Sequence, residues 1–268
     1  MNVQGLFLPI LQLFMVSLRV GSIWMFFPIL GQRNLPNTVK LAGALTLSMA
    51  LYPLVKPHLP AWDLAHLPNA SGLVFFISKE LVVGLGMGLC ARWIFTACVA
   101  SAHWVGMQMG FSAGSMVNPE LEQNETAWAE FNQWIAIMLF LGIGGHWLLI
   151  KAVADSYSVD TQSIFHTLGD TSLASQFWVE VGRRFFFWML KLSGPMVVVV
   201  LLLQAALGVL SRFIPQINVW LVSLPITIGI GVLVFTFLSP MYGDALGGLF
   251  KETQESSYMW LRFLKGAR

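Results

Sequence analysis

The sequence predicts an all-α membrane protein built of hydrophobic helical hairpins, with no β-sheet. Its composition is the first observation, because 56% of the residues are hydrophobic and only 10% are charged, against about 25% charged residues in a typical soluble domain. The second observation is that apolar runs alternate with polar, turn-rich linkers. Most of these runs exceed the length of about 20 residues that crosses a hydrocarbon core. Because lipid leaves no backbone group without a partner, we expect the runs to be helices.

Six apolar runs are predicted as helices. The N-terminus lacks a basic region and a small-residue cleavage pattern, so we interpret the first run as a retained membrane segment. The second run is short and ends in the proline-rich stretch YPLVKPHLP, so it is the weakest candidate for a span on its own. The six runs cover residues 5–30, 39–55, 73–102, 128–150, 185–210 and 217–239.

The linkers and the tail carry most of the charge. If both chain ends lie on one side of the membrane, the segments on that side hold most of the Lys and Arg residues. This bias predicts a cytoplasmic C-terminus. The long linker after the fourth run has enough residues for a short amphipathic helix. The tail, residues 251–268, is basic and amphipathic, which fits contact with membrane lipid or with a partner.

The pattern of apolar and polar residues changes near residue 183. Before this point glycine and charge interrupt the apolar runs, whereas after it come a run, the short turn SRFIPQ, a second run and the tail. Such a unit is typical of a helical hairpin that forms a module. The predicted parts are therefore residues 1–182 and 183–268.

Several charged residues lie well inside the apolar runs, where a charge is by default a functional candidate. They are Arg19, Lys79, Glu80, Arg92 and Lys191. One interpretation is a proton or ion relay, and the other is an ion pair that holds helices in register. The ion pair is preferred, because a relay usually needs several carboxylates at depth and here Glu80 is nearly alone. The adjacent Lys79 and Glu80 point about 100° apart on a helix, so each needs a partner elsewhere.

Nothing in the sequence indicates catalysis, a cofactor or a metal. Cys90 and Cys98 would lie about 12 Å apart along a helix, too far for a disulfide, and are predicted to be small buried apolar residues. His103 and His146 each precede a tryptophan, which an interfacial aromatic belt explains better than a metal site. No phosphate-binding P-loop and no HExxH motif occurs in the sequence. A net charge of +2 without a basic patch also argues against nucleic acid.

Gly84 and Gly88 have the small-xxx-small spacing that lets two helices approach closely. They lie with Gly86 inside an apolar run, so we interpret them as packing residues rather than as part of a nucleotide-binding loop.

The stretch GMQMGFSAGSMVNPE, residues 106–120, permits two interpretations. As a helix, Gly106, Gly110 and Gly114 form one smooth packing face. As a loop, the same glycines give conformational freedom, Asn118–Pro119 forces an extended exit, and Met and Phe supply deformable apolar bulk that can seal a hole. Both can hold together, with helix to about Gly110 and loop beyond it.

Two stretches carry a resemblance to a known family. The first combines KELVVGLGMG, residues 79–88, with GMQMGFS and the Asn-Pro pair of residues 106–119. The second is LSRFIPQINVWLVSLPITIGIG, residues 210–231, in which S-R-x-x-P-Q-x-N-V is the most specific block. Over essentially its whole length the chain resembles the FliR family of flagellar biosynthetic proteins and their type III secretion counterparts. Many relatives carry a lysine where this chain has Thr227, which puts any charge role there in doubt.

The resemblance implies a subunit of the flagellar type III protein export gate in the bacterial inner membrane, at the flagellar basal body. Its implied partners are FliP-like and FliQ-like subunits, an FlhB-like protein, and unfolded flagellar substrates in transit. It also implies that residues 1–182 are FliP-like and that residues 183–268 are a FliQ-like hairpin. Gates of this family sit largely above the bilayer plane, which would bury the apolar helices against other subunits. No enzyme activity is implied, so energy would come from partners.

The resemblance also assigns residues to roles. The stretch that matches the family's plug would line or close the channel, with the residues Gly110, Phe111, Ser112, Ala113, Gly114, Ser115, Met116, Val117 and Asn118. A second set would hold subunits together: Lys79, Glu80, Gly84, Gly88, Arg212, Pro215, Gln216 and Asn218. In this set residues 215–218 form the hairpin turn, where amide side chains can bond to exposed helix ends.

Three alternatives remain open. The equivalent subunit of a virulence-type secretion system is separated from the flagellar one only by overall likeness. A secondary transporter of a small solute would show inverted repeats and polar groups at the midplane, and no convincing inverted repeat is visible. A purely structural scaffold would make residues 106–120 an ordinary packed helix, so that leucine at Gly110 or Gly114 would destroy assembly.

Overall fold

The computed structural model of the chain describes residues 3–26, 36–59, 70–113, 126–158, 164–213 and 219–265. Within these ranges the chain is helical with short 3-10 turns and contains no strand, which confirms the predicted all-α class. The helices are α1 (Val3–Phe26), α2 (Asn37–Val55), α3 (Ala70–Met109), α4 (Ala127–Gly142), α5 (Gly145–Asp155), α6 (Ile164–Gly169), α7 (Thr171–Phe213) and α8 (Val219–Leu264).

Five helical segments in the described ranges are long and apolar enough to cross a membrane, or up to six if α4 and α5 count as one broken span. The second apolar run is among the five, because α2 and the 3-10 turn after it together give 22 residues. The five segments are Leu8–Phe26, Asn37–His58, Ser71–Met109, Thr171–Phe213 and Leu221–Leu264.

The prediction of one helix over residues 128–150 is wrong. α4 ends at Gly142, and Gly144 adopts φ 75° before α5 begins at Gly145. This left-handed backbone is strained for residues with a Cβ and costs glycine nothing. The glycine-rich sequence around Ile143 therefore permits a break that the uniform apolar character of the run conceals.

The fifth run, residues 185–210, is helical as predicted, but the helix is longer than the run, because α7 begins at Thr171. Asp170 caps this helix: its carboxylate accepts from the Ser172 amide at 3.0 Å and from the Leu173 amide at 3.3 Å. A carboxylate at the N-cap satisfies amides that have no partner inside the helix. The tail likewise continues α8 as far as Leu264 and does not form a separate helix.

The chain forms two compact units made of alternating parts of the sequence. The first unit contains Met1–Trp93, Gly144–Gly182 and Lys251–Arg268, and the second contains Ile94–Ile143 and Arg183–Phe250. The predicted division into residues 1–182 and 183–268 rests on the likeness of each part to a different protein. Contacts within this chain do not test that likeness. That division stays a prediction.

Each unit has its own apolar core. In the first unit α1, α2, α3 and α5 contribute buried residues such as Val16, Leu51, Val83 and Val153. In the second unit the end of α3 packs with α4 and α7 around residues such as Met109. The site described next lies within the second unit.

Candidate functional site

The end of α3 leads into residues 110–118, which are the candidate closing segment. α3 ends at Met109, and Gly110 follows with φ 92°. The Gly110 amide donates to the Met107 carbonyl at 3.1 Å. The Phe111 amide donates to the Gly106 carbonyl at 3.0 Å. These two bonds form a Schellman motif, which ends a helix at a left-handed glycine. Of the interpretations left open for residues 106–120, the structure agrees with a helix that ends near Gly110, while residues 114–120 lie outside the described residues.

Two side chains from other helices bind the same helix end. The Gln204 side chain of α7 donates from Nε2 to the Gln108 carbonyl at 2.7 Å. The Thr227 hydroxyl of α8 donates to the Met109 carbonyl at 3.0 Å. Sequence reasoning did not single out Gln204, and it treated Thr227 only as a departure from the family pattern.

The Phe111 side chain turns into the core of the second unit. Its ring stacks on Trp128 with centroids 5.9 Å apart, and Trp128 in turn meets Phe235 edge-to-face at 4.9 Å. The structure therefore places Phe111 as an anchor at the base of the segment.

An open cleft of about 330 Å³ lies beside this anchor. The residues after Phe111 line it together with polar and apolar side chains of α7 and α8, among them Ser112, Ala113, Gln204, Leu207 and Ser223. The other residues predicted to close a pore lie outside the described residues. They are Gly114, Ser115, Met116, Val117 and Asn118.

Gly106 sets the approach of α4 to α3. A Cβ at this position would lie 2.6 Å from the Thr126 hydroxyl oxygen and 3.2 Å from Trp128 Cβ. Thr126 is the N-cap of α4 and accepts from the Ala129 amide at 3.2 Å. Because glycine has no Cβ, the N-cap Thr126 can pack directly against the end of α3 at this position.

A buried ion pair lies in the first unit. Arg19 donates from Nε to one Glu80 oxygen at 2.6 Å and from Nη2 to the other at 3.0 Å. Its Nη1 donates to both the carbonyl and the hydroxyl of Ser156 at 3.0 Å. The guanidinium carbon also lies 4.0 Å from the centre of the Tyr157 ring. The interpretation of these charges as an ion pair between helices is confirmed for this pair.

Gly84 and Gly88 pack against α1, as their spacing predicts. A Cβ at Gly84 would lie 2.7 Å from the Arg19 carbonyl oxygen, and one at Gly88 would lie 3.2 Å from Ile23 Cα. Both contacts are within this chain. A role of these glycines in holding subunits together stays a prediction, as it does for Glu80, whose carboxylate is already bound by Arg19.

The remaining charges within the apolar helices lie near aromatic rings. Lys79 is 6.0 Å from the Phe76 ring, Arg92 is 5.8 Å from the Phe26 ring, and Lys191 is 4.5 Å from the Trp188 ring. Arg212 is exposed in the last turn of α7. The turn residues Pro215, Gln216 and Asn218 lie outside the described residues.

Cys90 and Cys98 are free thiols buried on α3, which confirms the prediction that they are small buried apolar residues. His103 is half-buried, and His146 stacks obliquely on its neighbour Trp147 at 6.0 Å. In the described part of the chain no three His, Cys, Asp or Glu side chains are grouped closely enough to hold a metal ion.

Sequence reasoning missed Ser156, Tyr157 and Gln204. Gln204 carried a signal, because it is a lone amide inside the apolar sequence LLLQAALG, where a polar group needs a partner. Ser156 and Tyr157 carried no local signal, since serine and tyrosine are ordinary residues for a polar linker.

The helices define an α-helical integral membrane protein, in which a buried arginine and glutamate neutralise each other. Comparison with known proteins narrows this class. Residues 10–253 match the family model described as "Bacterial export proteins, family 1", so the chain belongs to this family. The predicted resemblance is confirmed.

Several relatives are similar over most of their length. The flagellar biosynthetic protein FliR of Escherichia coli K12 is 30% identical over 241 residues, which cover 88% of this chain and 87% of the relative. FliR of Bacillus subtilis is 26% identical, with 90% of this chain and 91% of the relative covered. The surface presentation of antigens protein SpaR of Salmonella typhimurium is 27% identical, with 91% and 89% covered.

Proposed function

We propose that this chain is a subunit of the flagellar type III protein export gate in the bacterial inner membrane. It forms the export channel with FliP-like and FliQ-like subunits, beside an FlhB-like protein, and guides unfolded substrates. The observation that carries the proposal is the family match over residues 10–253. Relatives named as flagellar biosynthetic proteins support the flagellar assignment.

The closing of the channel is assigned to the segment that starts at Gly110. Its base is fixed by the Schellman motif and by the stacking of Phe111 on Trp128. A rigid base and a glycine at the point of departure suit a segment that must close a pore and yield to a substrate. Methionine and small residues at 112–117 would seal at low cost, because thioethers adapt to irregular surfaces.

A virulence-type secretion gate is the second candidate. The similarity to SpaR, at 27% identity, favours it. The two candidates differ in the strain that this chain can rescue. We expect the chain to restore swimming to a strain that lacks FliR when its own FliP-like and FliQ-like neighbours are supplied. Rescue of virulence-type secretion without rescue of swimming would favour the second candidate.

Assembly is tested first by co-expression. The tagged chain is purified with the FliP-like and FliQ-like proteins of its own organism, and the native mass of the product is measured. A stable hetero-oligomer with one copy of this chain supports the proposal. A monomer or homodimer without the neighbours contradicts it, and favours a small-solute transporter with the buried charges as candidate transport residues.

The closing role is tested by deletion of residues 112–117. We expect the complex to assemble and the membrane to conduct ions at rest. The control is the same deletion in a strain without the FliP-like subunit, where no channel forms and no leak should appear. An assembled complex with unchanged ion conductance would count against a closing role for this segment.

A further inference from the structure

We propose that four residues form a latch that holds Gly110, the hinge at the base of the closing segment. They are Gln204 of α7 and Leu224, Thr227 and Gly231 of α8. These four residues position Gly110 and do not themselves block a channel. The latch is a feature of the fold, and only its effect on ion leak rests on the proposed function.

The first step is the hydrogen bonding of the α3 end. The last four carbonyls of a helix have no partner inside it. Here two of them accept from the amides of Gly110 and Phe111. The other two, of Gln108 and Met109, accept from the side chains of α7 and α8. All four carbonyls are thus bound, and half of the bonds depend on other helices.

The second step is the shape of α8. Leu224, Thr227 and Gly231 are spaced so that they lie on one face of a helix. A Cβ at Gly110 would lie 2.7 Å from Leu224 Cδ2. A Cβ at Gly231 would lie 2.9 Å from the Met109 sulfur. One face of α8 therefore contacts the last α3 carbonyl, the last α3 side chain and the hinge glycine.

The third step concerns the single proton of the Thr227 hydroxyl. Besides the Met109 carbonyl, the oxygen lies 2.9 Å from the Ser223 carbonyl and 3.0 Å from the Leu224 carbonyl, both of its own helix. A threonine hydroxyl in a helix readily bonds back to such carbonyls. It can therefore release Met109 and keep a hydrogen bond, which makes the latch reversible at low cost.

The fourth step is the space into which the hinge can move. The open cleft of about 330 Å³ borders Gly110, Ala113, Gln204 and Thr227. Released residues can shift into this space without displacing the core, because Phe111 remains stacked on Trp128.

The test uses the full-length chain in its purified complex. Hydrogen–deuterium exchange is followed on peptides that contain the amides of Gly110, Phe111 and Ala113. Thr227→Val keeps the shape of the side chain and removes the donor. We expect exchange to accelerate about fivefold, the effect of one net hydrogen bond. Gln204→Leu is expected to accelerate exchange only about twofold. Gln204 is exposed, so water competes for its hydrogen bond to the Gln108 carbonyl.

The chain offers matched controls. Thr236→Val makes the same change on an exposed residue of α8 whose hydroxyl bonds to its own helix at Val232. It should leave exchange at residues 110–113 unchanged. Thr227→Ser retains the hydroxyl and should restore most of the protection. If Thr227→Val prevents assembly, the exposed Gln204→Leu variant decides the question in its place.

The outcomes separate the latch from the proposed function. Faster exchange in Thr227→Val or Gln204→Leu, with Thr236→Val unchanged, supports the latch. Unchanged exchange in both latch variants overturns it, whatever the membrane conducts. Faster exchange with an increased ion leak supports both proposals. Faster exchange without any leak keeps the latch and contradicts the closing role of the segment.

Discussion

Removing Glu80 alone should destabilise the protein far more than removing Glu80 and Arg19 together. Arg19 and Glu80 are 2% and 8% exposed, so water compensates neither charge. In Glu80→Leu the guanidinium keeps its two bonds to Ser156 and its contact with the Tyr157 ring. It loses both carboxylate bonds and the counter-charge.

The magnitude follows from these contacts. Breaking a buried ion pair on one side costs about 3–5 kcal/mol, since an uncompensated charge stays buried. Replacing both partners by apolar residues is often nearly neutral. The double change Arg19→Met with Glu80→Leu leaves the Ser156 carbonyl without the arginine donor. We therefore expect a loss of about 1–2 kcal/mol for the double variant, of which the lost hydrogen bond is the main cause.

The free energy of unfolding is measured in mixed micelles by titration with a denaturing detergent, followed by the fluorescence of the 11 tryptophans. Glu255→Leu is the matched control, because this glutamate is exposed and belongs to the same unit. A surface change of this kind should stay within about 0.5 kcal/mol.

Two results would refute this reasoning. A loss below about 1 kcal/mol in Glu80→Leu would mean that the pair is hydrated or dispensable. A double variant that folds and assembles normally but exports nothing would show that the charges take part in transport, as the relay interpretation holds. Normal export by the stable double variant would instead establish the pair as a structural connection between helices.

Three further changes test the close contacts. Gly84→Ala should destabilise by about 1–3 kcal/mol through contact with the α1 backbone, whereas Gly247→Ala, which has nothing within 4 Å of the added Cβ, should be neutral or stabilising in the same unfolding titration. Gly110→Ala should cost about 1–2 kcal/mol for the left-handed backbone alone and raise the resting ion leak, with Gly229→Ala as its control; no change in either would exclude strain at this hinge. Thr126→Ala should lower stability by about 1 kcal/mol by removing the α4 cap, seen as faster amide exchange in the first turn of α4 alone.

The class of the fold was predictable because it follows from composition. Apolar runs in a chain with 10% charged residues leave helices as the available structure. The end of α3 was only partly predictable. Gly110 is the residue type that a left-handed helix end requires, but its spacing from Gly106 and Gly114 also suited one continuous packed helix. The glycine-rich break at Gly144 carried the same kind of signal, but the apolar character on both sides favoured one continuous helix.

The pairing of side chains was not predictable to the same degree. That Glu80 needs a partner follows from the cost of burying a charge. That the partner is Arg19 depends on how α1 packs against α3, which the glycines at 84 and 88 set through contacts between distant parts of the chain. The bonds from Gln204 and Thr227 depend in the same way on the positions of α7 and α8 around the α3 end.

The lengths of α7 and α8 have a consequence for what surrounds the protein. With 43 and 46 residues, they extend about 65 and 69 Å along their axes. A hydrocarbon core of about 30 Å admits about 39 Å of helix even at a tilt of 40°. Roughly 20 residues of α8 must therefore lie outside the acyl chains. On α7 the exposed large apolar side chains extend from Trp178 to Phe213, about 53 Å along the helix axis, which is longer than this limit. Acyl chains alone cannot cover this surface of α7, which leaves part of it available for contact with other protein.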